Sequence, residues 1–218
     1  RCSPLSGGEF AASGIMYAVT VWSLAMLIHE YGPISEEDYL HLEARSPVRN
    51  EYVSGEVFAM TGGSLRHNVI AGNLFAALRA HLRNTPCRAF INDVRVRVAK
   101  ANAYYYPDLL VSCGRDTQAM DLALGEVDNA VLIVEVLSPG TEAIDRREKL
   151  LAYRTPAYAL LGQDQASVEI HRRRGDIGWE KIEYSGDETV DLASVKLAIG
   201  MRDIYEGVPI ESFMRGPG

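Results

Sequence analysis

Between residues 34 and 204 the chain switches repeatedly between two hydrophobic periods, and the switch points lay out its elements. SEEDYLHLEA carries an N-cap serine, Ser35, acidic residues in the first turn and Asp38 at the capping-box position, which predicts a short helix over about residues 36–44. NEYVSGEVFAM places two short strand-like runs around Ser54-Gly55, a hairpin turn dipeptide. In LRHNVIAGNLFAALRAHLRN apolar residues recur at Val69, Ile70, Leu74, Ala77, Leu78 and Leu82, a helical period that Asn84, Thr85 and Pro86 end. From Cys87 the period falls to two. FINDVRVRVAK sets Val94, Val96 and Val98 against Arg95, Arg97 and Ala99, the pattern of an antiparallel strand with one wet face. YYPDLLVSC and AVLIVEVLS are instead continuous apolar runs, which predict central strands buried on both faces. Thr141 opens TEAIDRREKLLAYR, a helix of about fourteen residues that ends before Pro156. From Tyr158 to Ile204 weaker alternation around turns predicts three or four further strands of a meander.

Composition sets the frame for these elements. The 218 residues are 47% hydrophobic and 23% charged, enough to bury a core, with neither repeats nor a linker to divide them. A single domain over residues 34–218 is expected, after a leader over residues 1–33. Within that leader residues 10–28 carry no charge, but Gly, Ser, Thr and Ala dilute them. With almost no basic flank, a membrane anchor is not expected. The chain begins with Arg1 and not Met, which leaves two expectations: a fragment, or an over-extended reading frame whose start is Met16 or Met26. The net charge of -7 confines any nucleic-acid contact to a local basic stripe. Cys2, Cys87 and Cys113 are odd in number and widely spaced, which signals neither a zinc site nor a disulfide framework and makes a reducing cytoplasm the simplest compartment.

Two carboxylates interrupt the apolar runs. Asp108 stands at the mouth of one and Glu135 in the middle of the other, where an ionised carboxylate is costly without a cation or hydrogen-bond donors. On adjacent strands each would raise the other's pKa, and a shared divalent metal keeps both ionised. Asp108 alone is equally consistent with a cap on nearby backbone amides. In the helix that follows, Asp145, Lys149 and Tyr153 fall on one face at i, i+4 and i+8. On spacing alone, Asp145 and Lys149 read as an ordinary surface ion pair.

Taken in order, GEVFAM, RHNVIAGNL, YYYPDLLVSC, IVEVLSPGT and DRREKLLAY resemble the motifs of the Uma-two family of restriction-endonuclease-like proteins, part of the PD-(D/E)XK nuclease superfamily. The likeness runs from about Ile34 to Ile204. It implies an α/β (α+β) fold: a restriction-endonuclease-like mixed sheet with flanking helices, an α-β-β-β-α-β core and a C-terminal β meander. Pro107-Asp108 would be the PD motif and Glu135 the second carboxylate. Leu137 stands where the superfamily has lysine, and the resemblance implies that Lys149 on the next helix supplies it. Glu56 and His67 match further motif positions, as a third carboxylate and as a phosphate or water contact.

The activity implied is Mg²⁺- or Mn²⁺-dependent hydrolysis of DNA phosphodiesters. Asp108, Glu135 and the Val136 carbonyl would hold the metal and Lys149 would stabilise charge. Arg95, Arg97, Arg146 and Arg147 are candidate DNA contacts, Arg172 to Arg174 weaker ones, and a homodimer is expected for a nuclease that cuts both strands. RTPAYALLGQ is several residues shorter than the family's segment, so the strand there is expected to be abbreviated. That shortening favours an alternative, a degenerate nuclease fold that binds nucleic acid without cutting it. A metal-free hydrolase using Asp108 and Glu135 as acid and base is a third reading, and it leaves Lys149 idle.

Overall fold

The computed structural model describes residues 33–60, 62–114, 125–153, 155–175 and 178–210. The uncharged stretch 10–28 lies outside them, and no described helix is long and apolar enough to cross a membrane. The chain divides into two compact units, residues 1–60 and 61–218.

In the first unit, helix α1 (Glu36–Glu43) starts as its caps dictate. The Ser35 hydroxyl accepts from the Asp38 backbone N–H at 3.1 Å and donates to the Asp38 carboxylate at 2.6 Å. Strands β1 (Asn50–Val53) and β2 (Glu56–Ala59) form the expected hairpin, with Ser54 and Gly55 both at positive φ. Tyr39 stacks on Tyr52 at 4.9 Å, and the buried Glu43 accepts from Asn50.

The second unit contains the α-β-β-β-α-β core. Its elements are α2 (Leu65–His81), β3 (Cys87–Ile91), β4 (Arg95–Val98), β5 (Ala103–Tyr105), β6 (Leu109–Cys113), β7 (Glu126–Val127) and β8 (Ala130–Leu137). There follow helix α3 over residues 142–152, β9 (Ala157–Gly162), β10 (Ser167–Arg173), β11 (Trp179–Ser185), β12 (Thr189–Leu192), β13 (Leu197–Gly200) and α4 (Met201–Ile204). The main sheet runs β11-β10-β9-β8-β6-β3, mixed because β8 and β9 are parallel across the α3 crossover. β9-β10-β11 make the meander and β12-β13 a separate hairpin.

Alternation along β8 gives its two faces different neighbours. Leu132, Val134 and Val136 join Leu109 and Val111 of β6 in a core with Ile70, Leu74 and Leu78 of α2 and the tail residues Val190, Met201 and Ile204. Two Asn73 hydrogen bonds, to the carbonyls of Ile204 and Glu206, tie α2 to that tail. Ile133 and Glu135 face the other way, toward α3.

Several expectations are corrected. FINDVRVRVAK is two strands in different sheets, because Asn92 and Asp93 both take φ of 48° and break the run. Asn and Asp tolerate that left-handed geometry better than other side chains. The tyrosine run likewise splits: β5 pairs with β4, and β6 begins only after Pro107 and Asp108. The helix after β8 is not regular, since Asp145–Lys149 widen into a π-helical turn and it stops at Ala152. The segment after Tyr153 carries β9, six buried residues of which residues 158–161 pair on both sides, to β8 and β10. Cys87 and Cys113, directly opposed in β3 and β6, form a disulfide, a cross-strand pairing that sequence separation conceals.

Candidate active site

Register builds this site. Leu109 opposes Val134 where β6 meets β8, so Asp108 and Glu135 occupy the next opposed position, beside two largely buried strands. Each carboxylate caps the other's strand. The Asp108 backbone N–H donates to Glu135 Oε2 at 3.4 Å, and the Val136 backbone N–H donates to Asp108 Oδ2 at 2.7 Å. Pro107 suits the step before, because it offers no N–H to leave unpaired at a strand's start.

Glu135 is only 4% exposed, and α3 supplies its compensation. Lys149 Nζ lies 3.1 Å from Glu135 Oε1, and the Tyr153 hydroxyl reaches the same oxygen at 3.4 Å. Asp145 Oδ1 lies 3.2 Å from Lys149 Nζ, an ion-pair distance without hydrogen-bond alignment. We therefore treat that contact as Coulombic. At 2% and 5% exposure Asp145 and Lys149 are not the surface pair their spacing suggests. Three tyrosines enclose them. Tyr105 and Tyr158 each pack on Tyr153, with centroids 5.4 Å and 5.3 Å away, and the Tyr158 hydroxyl donates to the Asp145 carbonyl at 3.0 Å. Burial, then the charges of Glu135, Tyr153 and Asp145, hold the Tyr158 hydroxyl well above its ordinary pKa, so it stays protonated and donating.

His67 reaches the site from the first turn of α2, where the Ser64 hydroxyl caps its backbone N–H. Its Nε2 is 2.8 Å from Asp108 Oδ1, so its partner here is the carboxylate. Burial alone would lower the imidazole pKa, but the hydrogen bond and charge of Asp108, with Asp145 beyond, raise it above its ordinary value. Gly63 packs on the ring, where a Cβ would lie 2.9 Å from His67 Cδ2.

Not every residue singled out in the sequence converges here. Glu56 is an exposed residue of β2, opposite Val53 in the first unit's hairpin. Arg95 is held by Glu126 at 2.7 Å, above the Tyr104 ring. Arg146 pairs with Glu142 and Glu169, and Arg172 with Asp191. Arg97 and Arg147 stand exposed, as does Lys100, which the sequence reading passed over. Asp145 was missed as a buried group because a helical i, i+4 charge pair carries no sign of which way it faces.

A family model described as Uma2, "Putative restriction endonuclease", matches residues 36–201. Two uncharacterized Synechocystis proteins are similar over most of their length. The protein slr1290 is 31% identical over 180 residues, covering 80% of this chain and 93% of its own. The protein sll1609 is 29% identical over 169 residues, covering 75% and 95%. Among solved structures, one titled as a putative nuclease belonging to DUF820, from Anabaena variabilis, superposes with a TM-score of 0.67. At 17% identity, over 79% of this chain and 98% of that one, the likeness shows the shared fold.

Proposed function

The chain belongs to the Uma2 family of putative restriction endonucleases, and from that membership and the joined carboxylates we propose that it is a metal-dependent endonuclease hydrolysing DNA phosphodiesters. The observation that carries the reading is the convergence of Asp108, Glu135 and Lys149 from three separate elements, with Lys149 Nζ 3.1 Å from Glu135.

The donor set fits a hard divalent cation. Asp108 and Glu135 offer oxygen ligands only, the chemistry a hard divalent cation takes, and the contacts already described hold both carboxylates side by side. Among the described residues no group of three His, Cys, Asp or Glu side chains converges as a ligand set. Two carboxylates plus water and a substrate phosphate is the way Mg²⁺ is commonly held, whereas a structural zinc needs four protein ligands. Asp108 and Glu135 would hold the ion, and when bound it would acidify a water and offset phosphate charge.

The chain's own groups do the rest. Lys149, fixed between Glu135 and Asp145, presents an ammonium against the negative charge that builds on the phosphate. His67 holds Asp108 Oδ1 and so fixes the carboxylate's orientation. Arg97 and Arg147, both exposed, are the candidates to meet the DNA backbone. β9 is a buried six-residue strand, and the alternative of a degenerate module that binds without cutting is decided by the cleavage test below.

The test is cleavage of supercoiled plasmid in Mg²⁺ or Mn²⁺. Asp108→Ala and Glu135→Ala should each reduce it by at least about a hundredfold while the chain remains folded by circular dichroism. Undiminished cutting by either variant, or an intact chain that neither cuts nor binds a divalent ion by calorimetry, would refute the proposal.

A further inference from the structure

Two residues back along β8 from Glu135, the same face of the sheet opens into a cleft that the proposed reaction leaves unused. Its volume is about 550 Å³, inside the range of about 300–1,000 Å³ typical of small-ligand sites. Buried Val96, Val98 and Ile133 make an apolar floor. Tyr153 closes the end toward the carboxylates, for it lines the cleft and its hydroxyl reaches Glu135 Oε1 at 3.4 Å. The rim is polar and divided by charge. Exposed Arg97 and Lys100, from β4 and the turn after it, stand on one side. Exposed Asp128 and Asn129, between β7 and β8, stand on the other. Asn129 Oδ1 accepts from the Ser112 hydroxyl at 2.8 Å, which leaves its amide NH₂ as the end that donates.

We propose that this cleft binds one nucleotide. Its phosphate sits at Arg97 and Lys100, its base lies over Val96, Val98 and Ile133, and the base edge meets Asp128 and Asn129. Each assignment follows from chemistry. Two cations recruit an anionic oxygen cluster. An apolar floor gains by covering the face of a flat heterocycle. An acceptor beside a donor matches the mixed edge that a base presents once it is out of a duplex. A hydrocarbon ligand would offer nothing to the polar rim, and inorganic phosphate would leave the floor bare. The nucleotide comes either from the strand being cut, unstacked beside the scissile bond, or from free mononucleotide. The first source rests on the nuclease reading above, and the second does not.

Titration by calorimetry of the Asp108→Ala chain in EDTA keeps cleavage and metal out of the measurement. The probes are dAMP, dGMP, dCMP and dTMP, their deoxynucleosides, and inorganic phosphate. At least one mononucleotide should bind about tenfold tighter than its nucleoside and than phosphate. Lys100→Glu should weaken it by about tenfold or more, and Asp128→Asn should change the ranking of the four bases. A single-stranded oligonucleotide carrying one 2-aminopurine separates the sources: brightening on binding that Lys100→Glu abolishes identifies a nucleotide of the strand. Binding indifferent to Lys100→Glu overturns the proposal, and so do flat titrations with every mononucleotide together with unchanged 2-aminopurine emission. A chain that binds nucleotides but never cuts DNA keeps the cleft and loses the nuclease. One that cuts DNA with every titration flat loses the cleft alone.

Discussion

The two faces of β8 are both largely buried and chemically opposite. Toward α2, Leu132 and Val134 at 0% exposure meet Ile70, Leu74 and Leu78, and the face asks only for shape. Toward α3, Glu135 at 4% meets Lys149, Asp145 and Tyr153, and every group depends on a named partner. Buried ions seldom add stability over a well-packed apolar core, because desolvation consumes most of their attraction. One face therefore holds the fold, and the other keeps an arrangement that stability alone would not select.

The largest effect expected from testing that contrast is at Lys149. Removing its ammonium strands two buried carboxylates, so Lys149→Met should lower the unfolding free energy by about 3–5 kcal/mol. Adding Glu135→Gln should recover part of the loss, leaving Asp145 as the remaining uncompensated charge. Urea denaturation reads both. If Lys149→Met stays within about 1 kcal/mol of the parent, which is what an exposed pair would give, then the charged face is not the buried network described.

Leu132→Ala probes the other face. A leucine deleted from a close-packed core costs about 2–5 kcal/mol, so the urea midpoint should fall while the slope stays unchanged. The carboxylates lie on the opposite side of the strand, so under folding conditions divalent-ion affinity by calorimetry should match the parent. An altered affinity would show that the two faces are mechanically coupled rather than separate.

What the sequence disclosed follows the same division. Asp108 and Glu135 were visible because a carboxylate inside an apolar run breaks a local pattern, α2 because its period is long and regular, and β8 because its apolar run is continuous. Spacing marked Lys149 only as half of a surface ion pair, and a place for it beside the carboxylates entered through the family resemblance. Its burial, and that of Asp145, depends on how α3 rolls onto the sheet, which helical spacing does not encode. Non-local pairing hid as well: Cys87 opposite Cys113 is a register relation, and Asn92-Asp93 turns an apparent single strand into two. The π turn at Asp145–Lys149 left no local mark either, since π turns are set by packing more than by propensity.

The smallest effect tests whether ion pairing as such, or only buried pairing, matters along α3. Arg146 follows Asp145 but points outward, bridging Glu142 and Glu169, and Glu169 also meets Lys181 at 3.1 Å. Burial pushes the Glu169 pKa up, but Arg146 and Lys181 outweigh it and hold the carboxyl below its ordinary 4.5. A carboxyl depressed in the folded state stabilises the protein above its unfolded pKa and stops doing so as pH falls through the folded value. Glu169→Gln should therefore cost about 0.2–1 kcal/mol at pH 7, the scale of a partly exposed pair. The gap between variant and parent should close as pH drops below 4.5. Denaturation curves across that range decide the matter. A gap that persists in acid would mean that Glu169 acts through packing, and the contrast between inward and outward charges on α3 would then be one of shape rather than solvation.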